Sequence, residues 1–335
     1  MIDKLAIVVV TYKRQKLLKV LLESFLRLQT PPWRVVLVDN ENSPETLDLV
    51  AEYEVYAEAL WGPAEGDALG FDTRFAYRPQ AQNLGGSGGF SAGIKAAYEL
   101  GAEWFWIMDD DVAVEPEAID RLAKWTDRFD VIQGSRLDFD GGPFYWQYQF
   151  SPQLAIYNPF ATAQFDESGF KPMNTMCFEG GLISRKVVRQ IGFPDYRFFI
   201  YWDDALYGYL ACKAGRGAVV SDVVLRRTRE VENWDIAGVR QLNSTSDTNR
   251  FYIMRNRGYM ARYFQMKGDY NPYAYAAGTV LSFGKEFVRM LAVDRAHLVS
   301  GTKKLVEGWK ESRAILNDPT WKPMPHPLPE NGPLA

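Results

Sequence analysis

The sequence predicts an α/β fold: an open, mostly parallel sheet flanked by helices, with a helical C-terminal region. Three observations carry this. Leu5 to Val10 is an unbroken apolar run, as a parallel strand covered on both faces requires. Residues 14–28 then place Leu17, Leu18, Leu21, Leu22, Phe25 and Leu28 on one helical stripe. Pro31-Pro32 stops that helix, and Val35-Val36-Leu37-Val38 opens a second strand that ends at Asp39-Asn40. Strand, helix, strand is a βαβ unit, whose crossover is right-handed.

The following segments continue the pattern. Glu45 to Ala59 reads as a second helix, followed by a Gly/Asp-rich loop near Gly62 to Gly70. Phe75-Ala76-Tyr77 is a short third strand, Asn83 to Phe90 a glycine loop, and Ser91 to Leu100 a helix. Trp104 to Met108 is aromatic and β-favouring and ends at Asp109-Asp110-Asp111, which fits a buried strand delivering acids to a sheet edge. From Gly134 to Met176 the chain is loop-rich, with Phe144, Tyr145, Trp146, Tyr148 and Phe150 close together. Phe198 to Ala205 is a strand or turn opening into a helix, Asp247 to Phe264 and Tyr275 to Leu316 are mostly helical, and Pro319 to Ala335 is a proline-rich tail without a core. The expected division is 1–225, a helical region 226–318 and the tail 319–335.

With 335 residues, 47% hydrophobic and 24% charged, the chain has the composition of an ordinary globular protein with a large core. A net charge of -4 argues against a nucleic-acid binder, which needs a basic face; Arg226, Arg227 and Arg229 form one local basic patch. Two cysteines, Cys177 and Cys212, imply no disulfide framework and read as small buried hydrophobes. Two histidines, His297 and His326, are too few and too C-terminal for a zinc site. The N-terminal apolar run is too short for a signal-peptide core, and no stretch reaches the ~20 apolar residues of a membrane helix. The expected location is cytoplasmic, with a peripheral contact at the inner face of the membrane left open. The helical C-terminal third offers a surface for dimerisation or for resting on a membrane, and Lys303, Lys304 and Lys310 beside apolar residues speak for the latter.

Candidate functional residues cluster at strand ends, where ligands of open α/β sheets bind. Side chains alternate along a strand, so Asp109 and Asp111 project to one side and Asp110 to the other. Two carboxylates on one side make a hard-oxygen site suited to Mg²⁺ or Mn²⁺; the bland alternative is a solvated acidic turn. The glycines from Gly85 permit close backbone approach, so that amides after Asn83, including Gly85 and Gly86, face a phosphate or sugar; a flexible turn is the alternative. The spacing is not that of a dinucleotide fingerprint, which disfavours a nicotinamide-dependent dehydrogenase. Asp203 and Asp204 follow Trp202: a carboxylate beside an indole in a dry cleft is suited to general-base work, and helix capping is the alternative. Thr11 and Arg14 contact a nucleotide base or diphosphate, unless Thr11 caps the first helix. The aromatics at 144–150 default to core packing, and Tyr252, Arg255 and Asn256 to buried ion pairing.

Together these segments resemble glycosyltransferase family 2, the nucleotide-sugar-dependent inverting enzymes with a GT-A fold. The resemblance rests on Val8-Val9-Val10-Thr11-Tyr12-Lys13-Arg14, Val38-Asp39-Asn40, Asp109-Asp110-Asp111, Trp202-Asp203-Asp204 and Tyr252-Ile253-Met254-Arg255-Asn256, spanning roughly residues 5–256. Within the family, residues 83–90 and 199–204 look most like the galactofuranosyltransferases of bacterial cell-envelope synthesis. The resemblance implies a UDP-sugar donor, UDP-galactofuranose, and a glycan or lipid-linked acceptor, with Asp39 on the uracil or ribose side. It implies that Asp109 and Asp111 hold Mn²⁺ or Mg²⁺, that Asp204 is the base, and that Asp203 and Trp202 shape the acceptor pocket. Asp110 is left as a structural residue or a donor-sugar contact. The related enzymes place a metal-ligating histidine after the base-bearing helix, whereas this chain reads Ser221 to Arg229 with no histidine. Two rivals follow: a rhamnosyltransferase using dTDP-rhamnose, and a catalytically silent sugar-binding subunit.

Overall fold

The computed structural model describes residues 2–64, 66, 70, 72–142, 148–158, 164–230, 234–236, 240–324 and 328. Phe144, Tyr145, Trp146 and His326 lie outside the described residues. The first half is β1 (Leu5–Thr11), α1 (Gln15–Phe25), β2 (Arg34–Asp39), α2 (Pro44–Trp61), β3 (Phe75–Pro79), α3 (Gly85–Leu100) and β4 (Trp104–Asp109). Every residue of β1 and β2 is buried. That explains the unbroken apolar runs, since helices cover both faces of the sheet. These strands lie parallel in the order β3-β2-β1-β4.

Beyond β4 the sheet turns mixed. β5 (Val112–Val114), α4 (Ala118–Ala123) and β6 (Val131–Leu137) come next, and two short strands, β7 (Phe150–Ser151) and β8 (Ile156–Tyr157), form a separate ribbon. Then come β9 (Phe170–Pro172), β10 (Gly181–Ser184), α5 (Arg185–Ile191), α6 (Asp203–Ala214) and β11 (Gly217–Arg227). β10 inserts antiparallel between β4 and β6, and β11 runs parallel to β6 and antiparallel to β5 and β9. A further antiparallel pair, β12 (Trp234–Ile236) and β13 (Arg240–Leu242), leads into the C-terminal helices.

These are α7 (Asp247–Lys267), α8 (Pro272–Ala292) and α9 (Leu298–Asn317). Ser246 caps α7 by accepting from the Asn249 amide, and Asn271 caps α8 by accepting from the amides of Tyr273 and Ala274 ahead of Pro272 at the first turn. Met260, Ala261 and Phe264 of α7 share one hydrophobic core with Phe150, Phe198 and Tyr209, so the C-terminal helices build onto the sheet domain. The aromatics Tyr148 and Phe150 are core residues. The described part of the tail lays Trp321 edge-on against Tyr263, with ring centroids 5.2 Å apart.

The glycine segment departs from expectation. Residues 85–93 form the first turns of α3 rather than a loop. A Cβ on Gly89 would sit 2.5 Å from Val10 Cγ1, and one on Gly93 equally close to Val8 Cγ1. The glycines therefore let α3 lie directly on β1, a packing gain that offsets their poor helix propensity.

Candidate functional site

A cavity of about 880 Å³ opens beyond the carboxyl ends of β1 and β4, the position that an open α/β sheet predicts. Its walls bring together Arg14, Gly86, Asp109, Asp111, Trp202, Asp203 and Asp204 from the expected residues. Thr11, Asp39, Asn83, Gly85 and Asp110 do not line it, and each has a definable task.

Asp110 is buried and accepts from Thr11 Oγ1 at 2.7 Å and from Arg14 Nη1 at 3.0 Å. Arg14 Nη1 also reaches Asp111 at 3.3 Å. Asp110 thus orients the loop after β1, and Thr11 spends its hydroxyl there rather than on a helix cap. Asp39, fully buried, accepts from Tyr77 Oη at 2.8 Å and from the amides of Glu41 and Ser43 at 2.9 and 2.8 Å. Those bonds fix the turn leaving β2. Asn83 is exposed and its side-chain oxygen accepts from the Gly85 amide at 2.8 Å. Gly85, at φ 70°, is the position where a Cβ would overlap the Phe199 carbonyl. Gly86 faces the cavity, and the nearest atom to its Cβ position is Asp203 Oδ2 at 3.9 Å.

Asp109 ends β4 facing the cavity, and among the described residues its carboxylate has no hydrogen-bond or ion-pair partner. Burial and then the charges of Asp111, Asp110 and Glu179 hold it well above the usual carboxylate range. A carboxylate placed this way has an unmet demand for a cation. Among the described residues no group of three or more His, Cys, Asp or Glu gathers as a metal cage.

Sequence reasoning missed a charge network beside these acids. Glu179 pairs with Arg136 at 2.8 Å and with both nitrogens of the Arg227 fork at 2.9 and 3.0 Å. Burial opposes ionisation, but Arg136 and Arg227 together keep Glu179 below its ordinary value. The basic segment expected from the sequence therefore divides. Arg226 pairs with Glu115 at the exposed edge, Arg227 is committed to Glu179, and Arg229 lines the cavity with no ion pair among the described residues. The only signal for Glu179 was its place in a Glu-Gly-Gly turn before β10.

Across the cavity, Asp203 and Asp204 open α6. Burial and the neighbouring Asp204 charge push Asp203 up to about 8. Burial pushes Asp204 up to about 6, while the Ala205 amide (donating at 2.6 Å) and Arg136 oppose that rise. Both carboxyls are thus more basic than a free aspartate, and Asp204, which accepts from the Ala205 amide and feels Arg136, is the one whose charged form is better supported. Trp202 stacks on Tyr157 with centroids 5.9 Å apart and donates from Nε1 to the Ile253 carbonyl at 3.0 Å.

The segment before the acids is strained. Phe199, Tyr201 and Trp202 all have φ near +65°, a region that costs a residue with a side chain on the order of 1–3 kcal/mol. Asn256 of α7, fully buried, points Nδ2 at the carbonyls of Phe198, Ile200 and Tyr201 at 3.0, 2.8 and 2.8 Å. Arg255 donates to the carbonyls of Arg197 and Phe198, and Ser87 of α3 donates its amide to Phe199 and its hydroxyl to the Asp195 carbonyl. Tyr252, Arg255 and Asn256 are thus not an ion-pairing cluster. Arg255 and Asn256 clamp carbonyls, and Tyr252 stacks on Phe199 at 5.1 Å.

Comparison with known proteins places this arrangement. The galactofuranosyltransferase GlfT1 of Mycolicibacterium smegmatis is 26% identical over 263 residues, covering 76% of this chain and 81% of that protein. The S. aureus TarS 1-349 structure in complex with UDP superposes with a TM-score of 0.51 at 14% identity, covering 93% of this chain and 90% of that one. The chain spans 55% of the longer TarS structure. GalNAc-T7 with UDP, GalNAc and Mn²⁺ gives a TM-score of 0.52 at 15% identity over 76% of this chain and 47% of that one. The fold is therefore the GT-A architecture expected. The family model for glycosyl transferase family 2 matches residues 6–192; with more than half of its length accounted for, the chain belongs to that family and is a glycosyltransferase.

Proposed function

We propose that the enzyme is an inverting, divalent-metal-dependent transferase that moves galactofuranose from UDP-galactofuranose to a hydroxyl of a glycan or lipid-linked acceptor. The observation that carries this reading is the division of one cavity. Asp109, without a partner among the described residues, and Asp111, which meets only Arg14, share the cavity with a carboxylate pair at the start of α6, and the GlfT1 relative is named for the same sugar.

Asp109 and Asp111 would hold Mn²⁺ or Mg²⁺ as two hard-oxygen ligands, without the histidine of the related enzymes. When bound, the ion supplies Lewis-acid neutralisation of the leaving nucleoside diphosphate. Arg229 adds positive charge on the same wall, and Arg14, held by Asp110 and Asp111, sits where the nucleotide enters. The ordered turns around Thr11, Asp39 and Asn83 shape the nucleotide side, with Gly85 and Gly86 leaving room for backbone contact to the sugar. Asp204 accepts the proton of the acceptor hydroxyl as its oxygen attacks from the face opposite the leaving group, which inverts the anomeric centre. Asp203 and Trp202 position that hydroxyl. In this reading residues 1–225 carry donor binding and catalysis and 226–318 brace the acceptor side. The enzyme works at the cytoplasmic side of the cell envelope.

A donor panel with Mn²⁺ tests it. Transfer with UDP-galactofuranose and none with dTDP-rhamnose is expected. Turnover of dTDP-rhamnose alone would overturn the donor assignment, and no turnover of any donor would leave the silent-subunit reading standing.

A further inference from the structure

Among the described residues α8 carries more exposed large hydrophobic side chains than any other helix or strand. Every exposed residue of that helix is apolar or glycine: Pro272, Tyr273, Ala276, Ala277, Val280, Leu281, Gly284, Phe287, Val288, Leu291 and Ala292. Tyr273 is 86%, Val280 71% and Val288 50% exposed. The spacing of three and four residues puts them on one stripe. The charged residues of the helix sit elsewhere. Glu286 and Arg289 are buried and paired at 2.9 Å, and with Lys285 they line the catalytic cavity. No helix is long and apolar enough to cross a membrane among the described residues. A helix with an uncharged outer face and a charged inner face fixed to protein is suited to lie in an interface instead.

We infer that α8 docks the enzyme onto an anionic lipid bilayer, its outer stripe in the headgroup region and the cavity mouth turned to the membrane. Two observations favour a bilayer over a second copy of the chain. Past α8, to the end of α9, Arg295, Lys303, Lys304, Lys310 and Arg313 are exposed against the exposed Glu311 and the half-buried Glu307, in a chain whose net charge is -4. That local excess attracts an anionic surface and repels its own copy. Leu281, moreover, is both 57% exposed and part of the cavity wall. A protein partner seated on the stripe would close that lip, whereas a fluid bilayer keeps lipid-linked hydroxyls within reach; this last argument rests on the transferase reading, and the docking itself does not.

The full-length chain is sedimented with vesicles of phosphatidylglycerol and phosphatidylcholine in equal parts, and with phosphatidylcholine alone. Binding is expected to the anionic vesicles. The double substitution Val280→Asp with Val288→Asp should lower the bound-to-free ratio by at least about tenfold, with an unchanged far-UV spectrum and unchanged UDP release in a soluble-acceptor assay. Absence of wild-type binding, equal binding by the variant, or light scattering that shows a wild-type dimer dissociated by these substitutions would each overturn the inference. If UDP release fails in every protein while vesicle binding behaves as expected, the transferase reading falls and the docking stands.

Discussion

The two walls of the cavity are held in opposite ways. The wall at β1 and β4 is built by local regularity: buried parallel strands in register deliver Asp109 to a sheet edge, and Asp110 ties Thr11 and Arg14 across the gap. The opposite wall is an irregular segment with three aromatic residues at positive φ, held in place by Asn256 and Arg255 more than fifty residues later in the chain. The first wall needs no support beyond its own sheet. The second stores strain next to Asp203 and Asp204, the carboxylates proposed to act on the acceptor, and depends on a remote helix to keep it. This difference predicts that the donor and acceptor functions fail separately.

The largest expected effect is at the rigid wall. Asp109→Asn removes the unpaired carboxylate, so transfer should fall by about 10³-fold, the several kcal/mol that charge neutralisation by a metal supplies. Mn²⁺-dependent UDP binding, followed by calorimetry, should be lost with it, while thermal stability holds or rises because a poorly solvated carboxyl crowded by Asp111, Asp110 and Glu179 is gone. UDP binding that survives intact would place the metal elsewhere.

Asn256→Ala tests the strained wall. The carbonyls of Ile200 and Tyr201 lose the Asn256 donor while that of Phe198 keeps Arg255, at about 1–3 kcal/mol for buried groups left unpaired. Displacement of the Asp203-Asp204 pair should lower kcat/KM for the acceptor by up to ~10²-fold. UDP affinity should not change. Equal loss of UDP binding and transfer would show that the two walls are one unit.

The pH dependence is the finest test. Below about 6 Asp204 takes up a proton, so kcat/KM should fall roughly tenfold per pH unit on the acid side. Stability has the opposite sign. Both carboxyls have folded values above their unfolded ones, so the native state binds more protons between about pH 4 and 8. The stability gained by holding those protons is complete below that window and is lost as pH rises through it. The melting temperature should therefore decline across the same range in which activity rises, and Asp203→Asn should flatten that decline.

The rigid wall was legible in the sequence because strand periodicity carries its information locally: the run Trp104 to Met108 announced where the acids would emerge. The glycine segment was read as a loop because glycine is a poor helix former, and only the distance from Gly89 to Val10 explains why a helix needs it there. Glu179 and Arg136 escaped notice because a buried ion network joins residues with no common period. The clamp by Asn256 is invisible for the same reason, since the strain it opposes exists only once the backbone turns at Phe199. The Trp-Asp-Asp tripeptide marked the place of the acids but not how they are held.

The most direct test is Asp204→Asn, with transfer and Mn²⁺-dependent UDP binding measured on the same preparation. The account predicts transfer reduced by at least about 10²-fold with UDP affinity unchanged, because this carboxylate acts on the acceptor alone. Undiminished transfer, or UDP binding lost in step with it, would contradict the assignment of the base and with it the division of the cavity.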